Sequence, residues 1–241
     1  ITYDPPGNGL AERTTDPAAF EYDRIVDQAV GVLDHLGIER AGVVGFSRGS
    51  DYGITLAARY PERVKRLALI ANGVAPSVLP TPRPDFWQPR DTYEGWEKYN
   101  AHYWRVDYHG FLEFYFTELF QEPHSTKAID DGVGWGLETT PDVLAQAVSR
   151  AELRPRMPAA EAIDRVRCPV LIIHGDLDER DPIEISYELA CIRPDWQLVV
   201  MEGCGHAPLL RDPVRVNLLL REFLGRDPHT TMNAESRDAR A

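Results

Sequence analysis

Ala41-Gly-Val-Val-Gly-Phe46-Ser47-Arg48-Gly49-Ser50 decides the fold. Ala41 to Phe46 is a short apolar run of strand character, and the residues from about Ser50 to Tyr60 read as a helix stopped by Pro61. Between them, Gly45-Phe46-Ser47-Arg48-Gly49 fits G-x-S-x-G. As a pentapeptide this is weak, because small residues match it often. Between a strand and a helix it gains meaning: a tight strand-to-helix turn forces the central serine into a strained backbone and pushes its Oγ outward. The residues two before and two after must then be small, and both are glycine. The helix that starts here aims N–H groups at the serine, where they favour an oxyanion.

The pattern repeats outward. Phe20, Ile25, Val26, Ala29, Val30, Leu33 and Leu36 recur at three and four, which predicts a helix over 17–36, opened by Asp16-Pro17 and closed by Gly37. Leu67 to Ile70, Val170 to Ile173 and Leu198 to Met201 are short apolar strands, and helices are predicted over 182–192 and 213–224. Strands alternating with helices imply an α/β architecture with a mostly parallel sheet flanked by helices. Ile1 to Asp4 reads as the end of a further strand, running into the turn-rich Pro5-Pro6-Gly7-Asn8-Gly9.

Residues 76–165 differ in character. They open on Pro76, Pro80, Pro82, Pro84 and Pro89, then turn aromatic and helical. A structureless loop of that length is implausible in a compact domain, so an inserted helical lid is expected there. Most of its rings should pack between lid and core, with a few lining a pocket. Domain boundaries follow: a core over 1–75 and 166–225, the lid over 76–165, and a polar tail over 226–241 expected to be disordered.

The 241 residues carry a formal net charge of -12, with 43% hydrophobic and 27% charged residues. That charge repels phosphate backbones and anionic lipid, so neither nucleic acid nor membrane is expected as a partner. No apolar run approaches the roughly eighteen residues needed to span a bilayer. Cys168, Cys191 and Cys204 form no CxxC pair and suit reduced thiols in a cytoplasmic setting. The sequence has no H-E-x-x-H, clustered Cys/His or P-loop. Gly132-Val-Gly-Trp-Gly136 lacks a preceding apolar strand, so no dinucleotide fingerprint is supported and no cofactor is expected.

A serine hydroxyl needs a base at neutral pH. His206, in Gly203-Cys-Gly-His-Ala-Pro208, follows a strand in a glycine-rich loop, the end of a sheet where α/β sites form. The rivals are weaker: His35 lies beside the core face of a helix, His102, His109 and His124 in the lid, and His229 in the tail. His174 ends a strand and is followed by glycine and acids. Cys204 as a nucleophile is poorly prepared. The orienting acid belongs on His174-Gly-Asp-Leu-Asp-Glu-Arg-Asp-Pro182. There Asp176 reads as a turn residue and Asp181 as a helix N-cap, which leaves Asp178 free to reach His206. The chain order is Ser47, Asp178, His206.

These residues resemble the α/β-hydrolase superfamily, in its lid-bearing serine esterase and hydrolase branch. Tyr3-Asp-Pro-Pro-Gly-Asn-Gly9 resembles the family's D-x-x-G-x-G segment after its fourth strand. Gly45 to Gly49 matches its elbow, with Ser50 where another small residue, often glycine, is usual. Ala57 to Val64 looks like its passage from helix to sixth strand. His174 to Asp178 matches its acid loop and Gly203 to His206 its histidine loop. The resemblance spans about 1–75 and 165–225. It implies an α/β-hydrolase fold in which Ser47 attacks a small apolar ester or related acyl compound, His206 moves the proton and Asp178 orients His206. The backbone N–H of Arg48 then serves as one oxyanion donor. The family's first three strands and H-G oxyanion loop have no counterpart before Tyr3, so an N-terminally truncated hydrolase of reduced activity is expected. The Ser47 nucleophile disfavours epoxide hydrolase and dehalogenase chemistry, which wants an aspartate there. Carbon–carbon hydrolysis, thioester cleavage, acyl transfer and perhydrolysis share the same residues. The alternative class is a non-catalytic ligand-binding or regulatory module on this fold. Arg48, Arg90 and Arg105 read first as surface salt-bridge partners, with contact to an anionic substrate as the alternative.

Overall fold

The computed structural model describes residues 1–78, 84–151 and 157–225. The expected tail over 226–241 and the lid prolines Pro80 and Pro82 lie outside the described residues. Four strands, β1 (Ala41–Phe46), β2 (Val64–Ile70), β3 (Val170–Gly175) and β4 (Gln197–Met201), form one sheet in the order β1-β2-β3-β4. Every pairing is parallel, with Val44 opposite Ala68, Leu69 opposite Ile172 and Ile173 opposite Val199. Parallel neighbours need a crossover: α2 (Arg48–Arg59) links β1 to β2, and α8 (Glu184–Ile192) links β3 to β4.

The period of two along a strand explains the continuous apolar runs. Leu67, Leu69, Val170 and Ile172 face one side, where they pack with Tyr22 and Val26 of α1 (Tyr22–His35), Ile54 and Ala57 of α2, and Leu189 of α8. Ala68, Ile70, Leu171 and Ile173 face the other side, against Met201 and against Val216 and Phe223 of α10 (Pro213–Gly225). Both faces of β2 and β3 are covered, so neither strand alternates with polar residues.

Three expectations are corrected. Ile1 to Asp4 is not a strand. A strand needs a ladder partner, β1 pairs only with β2 among the described residues, and the Asp4 carboxylate instead accepts the Leu10 N–H at 2.8 Å to close the following turn. The helix over 17–36 is broken. A 3-10 turn, Pro17–Phe20, is capped by Asp16, and extended Glu21 (ψ 133°) precedes α1. Phe20 and Tyr22 are both buried. Two positions apart on one continuous helix they would point to opposite sides, and the break at Glu21 lets both face the core. Asp181 does not cap the next helix, which starts at Glu184 with Ile183 before it.

Between β2 and β3 the chain forms α3 (Ala101–Val106), α4 (Tyr108–Leu119), α5 (Thr126–Gly136), α6 (Pro141–Ala151) and α7 (Ala159–Arg165). Phe86, Trp104, Phe111, Leu112 and Val133 make a cluster of their own, with Trp104 and Phe111 stacked at 4.4 Å. Gly132 and Gly136 lie inside α5, where Cβ atoms would strike Phe116 and Leu112; they are contacts between helices, not a phosphate loop. α7 packs elsewhere, through Ala162 and Ile163, into the cluster that holds α2 and the sheet.

Candidate active site

The site lies at the C-terminal edge of the sheet, where β1, β3 and β4 deliver three loops. Ser47 stands between β1 and α2 with φ 51° and ψ -120°, a left-handed backbone that a non-glycine residue adopts only where its surroundings enforce it. Two features enforce it. The Ser47 N–H donates to the Ile70 carbonyl at 2.8 Å. An ideal Cβ on Gly45 would lie 2.2 Å from the Gly49 carbonyl oxygen, so the turn closes only over glycine. The same requirement, expected at Gly49, does not hold: a Cβ there meets nothing within 4 Å. Ser50, fully buried, adds a pin that the sequence did not suggest. Its Oγ lies 3.0 Å from the Gly45 carbonyl and 3.1 Å from that of Ile70, binding the turn to both strands.

His206 comes from the loop between β4 and α9 (Pro208–Arg211), and Asp178 from the loop after β3. The two loops are tied together. The Gly203 N–H donates to the Asp176 carboxylate at 2.7 Å and the Leu177 N–H to the Cys204 carbonyl at 2.9 Å. Gly175 lets them pass, since a Cβ there would sit 2.2 Å from the Cys204 oxygen.

The structure brings Ser47, His206 and Asp178 into one hydrogen-bonded row. Ser47 Oγ lies 2.9 Å from His206 Nε2, and His206 Nδ1 lies 2.9 and 3.1 Å from the two Asp178 oxygens. A carboxylate only accepts, so Nδ1 carries the ring hydrogen and Nε2 is left to accept from the serine hydroxyl. Asp178 is buried, and burial alone would raise its carboxyl. Hydrogen bonds from His174, His206 and the Asp181 N–H outweigh it and hold the group well below the usual carboxylate range. The Arg48 N–H is the first amide of α2, a position without an intrahelical acceptor, while its guanidinium stands among Tyr52, Tyr99, Tyr115 and Asp51.

Three neighbours were not predicted. The Phe46 ring sits 5.5 Å from the His206 ring. His174 reaches Asp178 at 3.1 Å. Glu122, from the helical insertion, accepts the Gly205 N–H at 2.6 Å, one residue before His206. The strand-end position of His174 was a visible signal. For Glu122 there was none, because the contact spans the insertion. Leu119 and Phe120 also pack on Ala207, and a cavity of about 200 Å³ beside His206 is lined by Leu119, Glu122, Leu177 and Arg180. His35, His102, His109 and His124 make no contact with this row among the described residues. Cys204 packs into the core face shared with α10, where burial raises its thiol. Among the described residues no group of three or more His, Cys, Asp or Glu side chains is placed to hold a metal ion, and no helix is long and apolar enough to cross a membrane.

A parallel sheet flanked by helices, with a strained serine at a strand-to-helix turn, defines the α/β hydrolases. The family model for the alpha/beta hydrolase fold matches residues 1–213, and the chain belongs to that family. Among known proteins it is similar to 2-hydroxymuconate semialdehyde hydrolase of Pseudomonas putida, 29% identical in an alignment 240 positions long that covers 93% of this chain and 76% of that protein. In structure it is similar to an esterase from Exiguobacterium antarcticum, with a TM-score of 0.75 and 16% identity over 92% of this chain and 80% of that one. A thermophilic esterase from Thermogutta terrifontis matches with a TM-score of 0.74 and 24% identity over 94% and 79%. The chain is a hydrolase of the α/β family, related to 2-hydroxymuconate semialdehyde hydrolase, and it shares its fold with the esterases.

Proposed function

We propose that this chain is a serine hydrolase acting on a small apolar ester or related acyl compound. Ser47 Oγ attacks the acyl carbon while His206 Nε2 takes its proton. Asp178 holds His206 in the required tautomer and stabilises the imidazolium. The tetrahedral oxyanion develops against the Arg48 N–H at the start of α2. Collapse expels the leaving group, protonated by His206, and leaves an acyl-enzyme on Ser47. Water, deprotonated by His206, then releases the acid. The observation that carries this reading is the unbroken row from Ser47 Oγ through His206 to Asp178, with contacts of 2.9 Å on each side of the ring. The helices over 76–165 act as a lid over a core formed by 1–75 and 166–225, and their aromatic content favours an apolar acyl group. A small-molecule substrate is the expected partner, and the three free cysteines suit a reducing cytoplasm.

The test is a fluorophosphonate probe on the purified protein, with peptide mapping. Labelling is expected at Ser47 and is lost in Ser47→Ala. Labelling elsewhere, or none, sinks the proposal.

A second reading is favoured by the relative named for 2-hydroxymuconate semialdehyde. The same residues would attack a carbonyl whose leaving group is carbon. Turnover of such a keto compound, with acyl esters left intact, would select it over ester hydrolysis.

A further inference from the structure

The structure assigns a role to a second histidine: we infer that His174 is a positioning residue that holds Asp178 for His206, its Nε2–H bonded to the Asp181 carbonyl and set against Asp178 Oδ2. The inference rests on the reading of Ser47, His206 and Asp178 given above.

His174 lies one residue from the end of β3 and is completely buried. Each ring nitrogen is engaged. Nδ1 is 2.6 Å from Ser186 Oγ on α8, and Nε2 is 2.8 Å from the Asp181 carbonyl and 3.1 Å from Asp178 Oδ2. The partners of Nε2 are a carbonyl and a carboxylate, which only accept, so Nε2 carries the hydrogen. Nδ1 then accepts the Ser186 hydroxyl hydrogen. The Asp181 carbonyl and the Asp178 carboxylate thus select the tautomer of His174, and the Ser186 hydroxyl completes it as a donor. Asp178 selects the tautomer of His206 in the same way, by accepting from one ring nitrogen. With both nitrogens occupied, His174 is not a rival base.

The consequence for Asp178 is geometric. Its Oδ1 accepts the N–H groups of Arg180 at 2.9 Å and Asp181 at 3.0 Å. Oδ2 takes the bond from His206 Nδ1 at 2.9 Å, with His174 Nε2 beside it at 3.1 Å. Without His174, Oδ2 has one donor, and rotation of the carboxylate toward the two loop amides is opposed only by the bond to His206. A carboxylate with fewer donors also turns more of its charge on the one N–H that remains at Oδ2, that of His206. Other charges facing this group are the Asp181 carboxylate, 4.0 Å from His206 Nδ1, the Arg180 guanidinium on the same loop, and Glu122 from the insertion, bonded to the amide before His206. They stay in place when His174 is changed.

The experiment measures the rate of fluorophosphonate labelling at Ser47 against pH in the full chain. With His174→Leu, the rate is expected to fall about ten- to a hundredfold at pH 7, and the acid limb to move up by about one pH unit. His174→Gln, whose amide can offer an N–H where Nε2 did, should keep the rate within about threefold and restore the midpoint. Ser186→Ala should move both readouts in the same direction by less. A labelled, folded His174→Leu with the parental rate and limb overturns the inference. So does an equal loss in His174→Leu and His174→Gln with an unmoved limb, which marks a purely structural residue. If the leucine variant does not fold, nitrogen-15 NMR of the parental imidazoles decides. His174 is expected as the Nε2–H tautomer, and an Nδ1–H tautomer overturns the inference. Failure of the parental chain to label at Ser47 would defeat the proposed function and is read separately from these comparisons.

Discussion

Asp178 is buried with four N–H groups around its two oxygens, from His206, His174, Arg180 and Asp181. Its carboxyl is held below the ordinary value of about 3.9. A carboxyl lowered on folding stabilises the protein fully above the unfolded pKa, and that contribution is lost as pH falls through the lower folded value. Asp178→Asn should therefore be less stable than the parent at pH 7, and the gap should narrow as pH drops below about 4. Urea melts of both proteins at pH 7 and pH 3.5 check this. The glycines beside Ser47 give a second prediction. Gly45→Ala must force the Gly49 carbonyl aside, since the new methyl would stand 2.2 Å from it. Overpacking at such a site costs about 1–3 kcal/mol or more, so the melting temperature should fall and Ser47 labelling should drop at least about tenfold. Gly49→Ala meets nothing and should fold and label like the parent. A serine, a histidine and an aspartate on three strand-end loops were legible at this scale because the polypeptide itself delivers them. His174 is visible in the sequence only as a weaker candidate base. Its role depends on Ser186, twelve residues away on another element, and no local pattern encodes that pairing.

Strands and helices of the sheet layer were readable because each is buried on a defined face, and burial imprints periodicity. The errors fall where tertiary partners decide. Ile1 to Asp4 has strand composition, yet a strand exists only with a ladder beside it. Phe20 fits a helical count, yet Tyr22 two residues on is buried as well, so the helix breaks at Glu21. Contacts between the helical insertion and the loops were beyond the sequence for the same reason. Glu122 is the clearest case. It accepts the Gly205 N–H at 2.6 Å, while the neighbouring Leu119 and Phe120 pack on Ala207. The His206 loop is therefore gripped from both sides of the histidine by one stretch of the insertion. Glu122→Ala removes a charge-assisted bond of partly exposed type, for which a three- to tenfold loss of Ser47 labelling is expected. Glu122→Gln, which keeps an acceptor oxygen, should recover most of it. Equal labelling of all three proteins would show that this contact does not hold the loop.

The whole molecule has two bodies of apolar packing with different connections to the site. Clusters on either face of the sheet anchor β1, β3 and β4, whose ends supply Ser47, Asp178 and His206. A separate cluster around Phe86, Trp104, Phe111 and Val133 holds the insertion together. Because the two share few side chains, they should open independently. Trp104 tests this. It is 1% exposed and its ring packs against Phe86, Tyr99 and Phe111. Trp104→Ala should cost the insertion about 3–5 kcal/mol. If the bodies are separable, amides of α3 to α6 lose hydrogen-exchange protection while those of β2 and β3 keep theirs. Ser47 would still label, since its strained turn is fixed by Gly45, Ser50 and Ile70 of the sheet layer. The rate would fall only through the contacts of Glu122 and Phe120. A variant that loses protection evenly in sheet and insertion would instead mean that the insertion is part of one cooperative core, and its aromatic residues would then count as stability elements before they count as a substrate wall.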